Sequence, residues 1–190
     1  MRPLVPVLAL VGMLLIGSMP ARADTVTQLN ITGGTLNFNL GALGTVSGSF
    51  SQNGTLTMGS FQSAPPVLPS FVVDNHAFTL YTDSGGGLLS APSAQTSGTT
   101  ITADLGSLFA LITGPQVSGA LNIGGQASGT YDPFTGAFSL SWTHVFDLSS
   151  ADFSLDGTAD VAPVPLPAAA GLFAVGLLGP LGLARREVKS

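Results

Sequence analysis

Cysteine is absent from all 190 residues, and between Asp24 and Ala184 there is no Lys, no Arg and no Glu. The first absence excludes disulfides, so an exported domain of this chain must hold together by core burial alone or remain partly disordered. The second excludes any Lys or Arg salt bridge over that stretch, and with it a basic surface for nucleic acid or anionic headgroups. Charge there comes from nine Asp residues: Asp24, Asp74, Asp83, Asp104, Asp132, Asp147, Asp152, Asp156 and Asp160. They serve solubility rather than pairing. One Trp (Trp142) and two His (His76 and His144) complete a sparse chemical inventory.

The catalytic signatures are missing too. There is no G-x-S-x-G elbow, H-E-x-x-H pair, Walker A loop or dinucleotide fingerprint, and no cofactor is expected. A Ser–His–Asp site would have to use His144 with Asp147. His144 lies on the apolar face of its strand, which favours a core histidine held by a hydrogen bond. His76, after Asp74-Asn75, is expected in a turn. A glycosidase needs two placed carboxylates and commonly Arg, Lys and several aromatics for sugar binding, whereas this stretch has no basic residue and one Trp. Asp152, Asp156 and Asp160 share one strand face, but four residues along a strand is about 13 Å, too far for one calcium ion. A solvated, edge-protecting role is expected for them, and no metal site.

What the chain has in abundance is Gly, Ser, Thr, Asn and apolar residues in alternation. Leu36, Phe38 and Leu40 alternate with Thr35, Asn37 and Asn39, and Leu56 and Met58 with Thr55 and Thr57. Val117, Leu121 and Ile123 alternate with Ser118, Ala120 and Asn122. The longest run is Phe138, Leu140, Trp142, His144 and Phe146, and Phe153, Leu155, Ala159 and Val161 continue the pattern. Period two over so many segments predicts an all-β fold, an antiparallel β-sandwich or sandwich-like sheet over 24–160. Helix has little room: Leu105 to Ile112 suits two helical turns or a buried strand.

Turn chemistry places two hairpins. Asn53-Gly54 predicts a three-residue loop that sets Phe50 opposite Leu56, with Gly54 in a left-handed bulge position. Asp132-Pro133-Phe134-Thr135-Gly136 joins Tyr131 to Ala137. Ala64 to Pro69 reads as an extended crossing between two sheets, and Ser84–Gly87 and Ser90–Gly98 as flexible loop. An echo, Val46-Ser-Gly-Ser-Phe50, Val117-Ser-Gly-Ala-Leu121 and Ala127-Ser-Gly-Thr-Tyr131, lacks a steady period and reads as strands of similar composition.

The two ends are of another kind. Met1-Arg2, an apolar stretch from Leu4 to Met19 and the A-x-A site Ala21-Arg22-Ala23 make a signal peptide over 1–23. It implies the Sec translocon and signal peptidase as partners, and a mature start at Asp24. At the other end, Val164-Pro165-Leu166-Pro167 precedes an uncharged apolar run from Ala168 to Ala184, and Arg185, Arg186 and Lys189 follow. As a helix that run reaches about 25 Å against a hydrocarbon core of about 30 Å, and snorkelling cations make up part of the deficit. The trailing cations place residues 185–190 in the cytoplasm and the β domain outside.

This tail resembles the PEP-CTERM sorting signal of Gram-negative bacteria over roughly residues 163 to 189, with Leu166 where the family's namesake has Glu. The resemblance implies recognition by exosortase, a membrane-embedded enzyme with a cysteine nucleophile. It also implies cleavage near the Pro motif and release or transfer to the cell surface, usually in bacteria that make exopolysaccharide. The expected organisation is then a signal peptide (1–23), an exported β-rich domain (24–161), a Pro-rich spacer with the sorting motif (162–167), a transmembrane helix (168–184) and a basic tail (185–190). The expected role is a non-enzymatic surface or matrix protein associated with exopolysaccharide. The alternative is a surface-retained hydrolase using Asp carboxylates and His144.

Overall fold

The structure, a computed structural model, describes residues 23–39, 41, 44–115, 118–146 and 149–162. Ala21, the sorting motif Val164 to Pro167, the expected span 168–184 and the cations Arg185, Arg186 and Lys189 lie outside the described residues, as do Leu40, Val117 and Asp147. No helix among the described residues is long and apolar enough to cross a membrane.

Among the described residues there are twelve strands: β1 (Ala23–Asn39), β2 (Thr45–Phe50), β3 (Gly54–Thr57), β4 (Leu68–Val73), β5 (His76–Thr82), β6 (Ser93–Ser97), β7 (Thr100–Asp104), β8 (Leu108–Thr113), β9 (Ser118–Asn122), β10 (Gln126–Tyr131), β11 (Ala137–Phe146) and β12 (Ser149–Val161). They pair antiparallel throughout, in the order β12-β11-β10-β7-β6-β1-β2 and, in a second sheet, β4-β5-β8-β9. The all-β, antiparallel expectation holds. The sandwich is met only in part, because β12 also pairs with β1 and closes six strands into a barrel.

β1 makes the closure possible. Its buried positions are Val26, then Leu29 and Ile31, then Gly34, Leu36 and Phe38. Their parity changes twice, at register shifts against β12 between Val26 and Gln28 and between Ile31 and Gly33. Each shift inserts one extra residue in β1, and a β-bulge bends and twists the strand that carries it. Strict alternation over seventeen residues would have kept β1 straighter.

Glycines take the sharpest approaches. Gly157 falls at an inward position of β12, where a Cβ would lie 2.0 Å from the carbonyl oxygen of Asn30. Its register neighbours are Ile31 and Phe138, so large side chains on both sides cover the missing one. Gly129 in β10 repeats the arrangement between Ile101 and Leu140.

The barrel does not run the length of the molecule. β1 pairs with β6 only over Ala23–Val26, and β10 pairs with β11 only from Ser128 to Tyr131. Beyond those points β11, β12, β1 and β2 continue as an open sheet. The second sheet covers its apolar side. Phe38 stacks on Phe78 at 6.0 Å and Phe50 on Phe71 at 4.3 Å, each pair joining the two sheets; within the large sheet Trp142 stacks on Phe153 at 5.2 Å. Barrel interior and inter-sheet layer form one buried cluster. The void at this junction is about 10 Å³, at the lower limit for a single water. The molecule is therefore half barrel and half sandwich, with a filled interior.

Several local expectations change. β2 and β3 do not pair with each other: both lie on the same edge of β1, so Asn53-Gly54 is no hairpin. Gly54 has no positive φ. It is needed for close approach, since a Cβ there would meet the Val67 carbonyl oxygen at 2.2 Å. Segment 93–97, expected as loop, is β6, with Ala94 and Thr96 buried. Its inward residues are too small and too polar to announce a core strand. Residues 63–66 turn rather than extend, though this segment does cross between the sheets. Leu108–Thr113 is strand.

Other readings stand. The turn at Asp132–Gly136 joins β10 to β11, with Gly136 at φ 73°. The described residues of the echo segments fall in β2, β9 and β10, three separate places in the two sheets.

Candidate functional site

Three places carry the polar groups that the sequence singles out. The first is the inner face of β11. The Trp142 Nε1–H donates to the Ile123 carbonyl at 2.7 Å, and His144 Nδ1 bonds the Gly124 carbonyl. Two side chains two residues apart thereby clamp the β9–β10 connection onto β11, at the seam where the second sheet meets the barrel. His144 is half-buried and its ring lies 4.6 Å from that of Phe146. This is the hydrogen-bonded histidine expected from its place in the alternation. Phe138, Leu140 and Trp142 are buried beside it, and Phe146 is partly buried against the core.

The second is His76. The turn expected around it is formed by Asp74 (φ 46°) and Asn75 (φ 62°), the positive-φ pair of a tight hairpin between β4 and β5. His76 itself opens β5 and is buried. Its Nδ1–H donates to the Asp74 carbonyl at 2.7 Å, while Nε2 has no partner among the described residues. A Cβ on Gly114 would strike this ring, so Gly114 makes room for it.

The third is the outer face of β1, β11 and β12. Asp152, Asp156 and Asp160 point outward as expected, but β12 lies between β11 and β1, so they protect no edge. Neutral partners hold two of them instead. Thr143 Oγ1 donates to Asp152 at 2.7 Å, and Asn30 Nδ2 donates to Asp160 at 3.2 Å. No cluster of three metal-ligating side chains occurs among the described residues. Cross-strand register lines Ser49, Thr35, Ser154, Ser141 and Ser128 into one row around the surface. A shallow groove of about 490 Å³ runs beside that row, lined in part by Thr35, Asn37, Ser141, Asp152 and Ser154. Hydroxyls, one amide and one carboxylate suit hydrogen bonding to a hydrated polyol and offer no cation to a phosphate.

Asp132 stands apart in the β10–β11 turn. The Thr135 hydroxyl and the Phe134 amide both donate to its carboxylate, at 2.6 and 2.9 Å. Those two bonds, the Thr135 one foremost, hold its pKa below the ordinary Asp value. Between these turn residues Phe134 projects into water. In the sequence Phe134 is legible only as part of a turn, because a single apolar residue among turn formers carries no periodic signal.

Of the sorting and cleavage residues, Ala23 alone is described. It begins β1 opposite Ser97. At the other end, the Ala162 amide donates to the Thr25 carbonyl at 2.9 Å, so both ends of the domain leave side by side. No protein-family model, no curated protein and no solved structure matches the chain.

Proposed function

We propose that this chain is an exported surface or extracellular-matrix protein of a Gram-negative bacterium, delivered by the Sec translocon, trimmed by signal peptidase and sorted by exosortase. Its role is structural or adhesive within an exopolysaccharide layer. The observation that carries the reading is the order Pro motif, apolar run and Arg185-Arg186, set directly after the last strand of a β domain. The tail then holds the chain in the inner membrane with Val164 to Pro167 outside, where a processing enzyme reaches it. The outward rows of hydroxyl and amide groups, without a single Lys or Arg from 24 to 184, favour a hydrated sugar polymer over nucleic acid.

The test is expression in hosts with and without exosortase. With the enzyme, a shortened protein should appear at the surface or in the medium, beginning at Asp24 by mass analysis. Without it, the unprocessed form should accumulate in the membrane. Identical size and location in the two hosts would reject sorting and leave a plain C-terminal anchor.

A further inference from the structure

Strand direction places both termini of the domain at the barrel end, away from the sandwich. Val161 pairs with Val26, and Ala162 bonds Thr25. The β10–β11 hairpin turns at this same end, because Ala137 pairs with Thr158 and the Ala159 amide donates to the Gly136 carbonyl at 2.8 Å. At its tip Phe134 is 96 % exposed. The tip is braced: the Phe134 amide and the Thr135 hydroxyl bond the Asp132 carboxylate, and the Gly136 amide bonds the Asp132 carbonyl. One exposed apolar ring asks for no explanation by itself. Its position does.

Five residues, Pro163 to Pro167, separate Ala162 from the apolar run that begins at Ala168. Six Cα steps span roughly 20 Å at most. The opposite end of the domain lies up to about 36 Å farther, the full rise of β12 from Ser150 to Val161 at about 3.3 Å per residue. A tether that short keeps the Phe134 end near whatever holds the run, while nothing ties the other end to it. With no Lys or Arg between 24 and 184, attraction to anionic headgroups is excluded, and apolar insertion is the contact left.

We propose that Phe134 is a membrane-resting tip: while the tail is in the bilayer, the barrel end sits on the lipid surface and the Phe134 ring enters its interfacial region. This rests on the reading of 168–184 as a membrane segment.

The chain has no cysteine, so Phe134→Cys and Val145→Cys each accept one environment-sensitive fluorophore. Val145 is the matched control: it is also exposed (76 %), but it pairs with Ser150 at the far end of β12. Labelled mature protein, from Asp24 through the tail, would be reconstituted into zwitterionic phosphatidylcholine vesicles and isolated by flotation. Position 134 should shift to the blue and be quenched about twofold or more by nitroxide lipids, while position 145 keeps its emission in water. Flotation with water-like emission at 134 would overturn the proposal. Shielding of 134 only after exosortase is added would overturn it in favour of a protein contact. Failure to float would remove the membrane reading of the tail and the proposal with it.

Discussion

Removing the Trp142 side chain takes away a ring stacked on Phe153 and a buried N–H bonded to Ile123 at once. Trp142→Ala should cost about 3–5 kcal/mol, a large share of the ~5–15 kcal/mol that holds a domain together. Trp142→Phe keeps a ring but leaves the Ile123 carbonyl without its donor, which costs about 1–3 kcal/mol. Urea denaturation of the two variants should rank them in that order. Asp132 gives a pH signature. Its folded pKa is depressed, so the turn's contribution is complete above the unfolded Asp pKa and is lost as pH falls through the folded value. NMR titration of its carboxyl should place it below a free Asp side chain. Thr135→Val should move it back up, since the Thr135 bond is the largest cause.

At the scale of elements, close backbone approach decides which glycines matter. Gly157→Ala sets a methyl against the Asn30 carbonyl and must push β1 and β12 apart. A loss of about 1–3 kcal/mol follows, with faster hydrogen exchange at the β1–β12 seam. The β4–β5 hairpin offers the opposite case. Asn75 sits at φ 62°, where glycine bears no steric cost, so Asn75→Gly should raise stability by up to about 1 kcal/mol in urea denaturation. Strands with bulky alternation, β11 and β12, were legible in the sequence because their inward positions are mostly large and apolar. β6 was not, since Ala94 and Thr96 look like loop composition. The β2–β3 relation was not either: Asn-Gly is a strong local turn signal, yet the long edge of β1 offered both segments a partner and outweighed it.

For the whole molecule, charge sets a simple expectation. A stretch with nine Asp and no Lys or Arg repels itself, and its members Asp152, Asp156 and Asp160 stand about 13 Å apart along β12. Raising salt from about 0.01 M to about 0.15 M shortens the Debye length from about 30 Å to about 8 Å. The melting temperature should therefore hold or rise; a fall would reveal attractive pairs that this composition does not supply. The tail makes a second whole-chain prediction. Under the proposed sorting, replacing Arg185, Arg186 and Lys189 together should let the C terminus slip through the membrane or mis-orient, read by protease protection. Changing Pro165 and Pro167 should leave insertion intact and stop processing.

The sequence alone determined the strand-rich class, the turn at Asp132–Gly136, the inward face of β11 and the hydrogen-bonded His144. Each of these is written in neighbours two to five residues apart, the range over which side-chain periodicity and turn propensity act. The expectations for the two ends of the chain come from the same local kind of pattern. Closure of the barrel was decided elsewhere. It needs β1, whose register breaks twice, to meet β12 more than a hundred residues away in the chain, and nothing local encodes which edge a strand will find. The tertiary structure likewise turned Gly54 from a turn former into a point of close contact and put Asp152, Asp156 and Asp160 on an interior strand. It also brought Phe134 to the end where the chain departs, because long-range pairing alone sets which loops share an end.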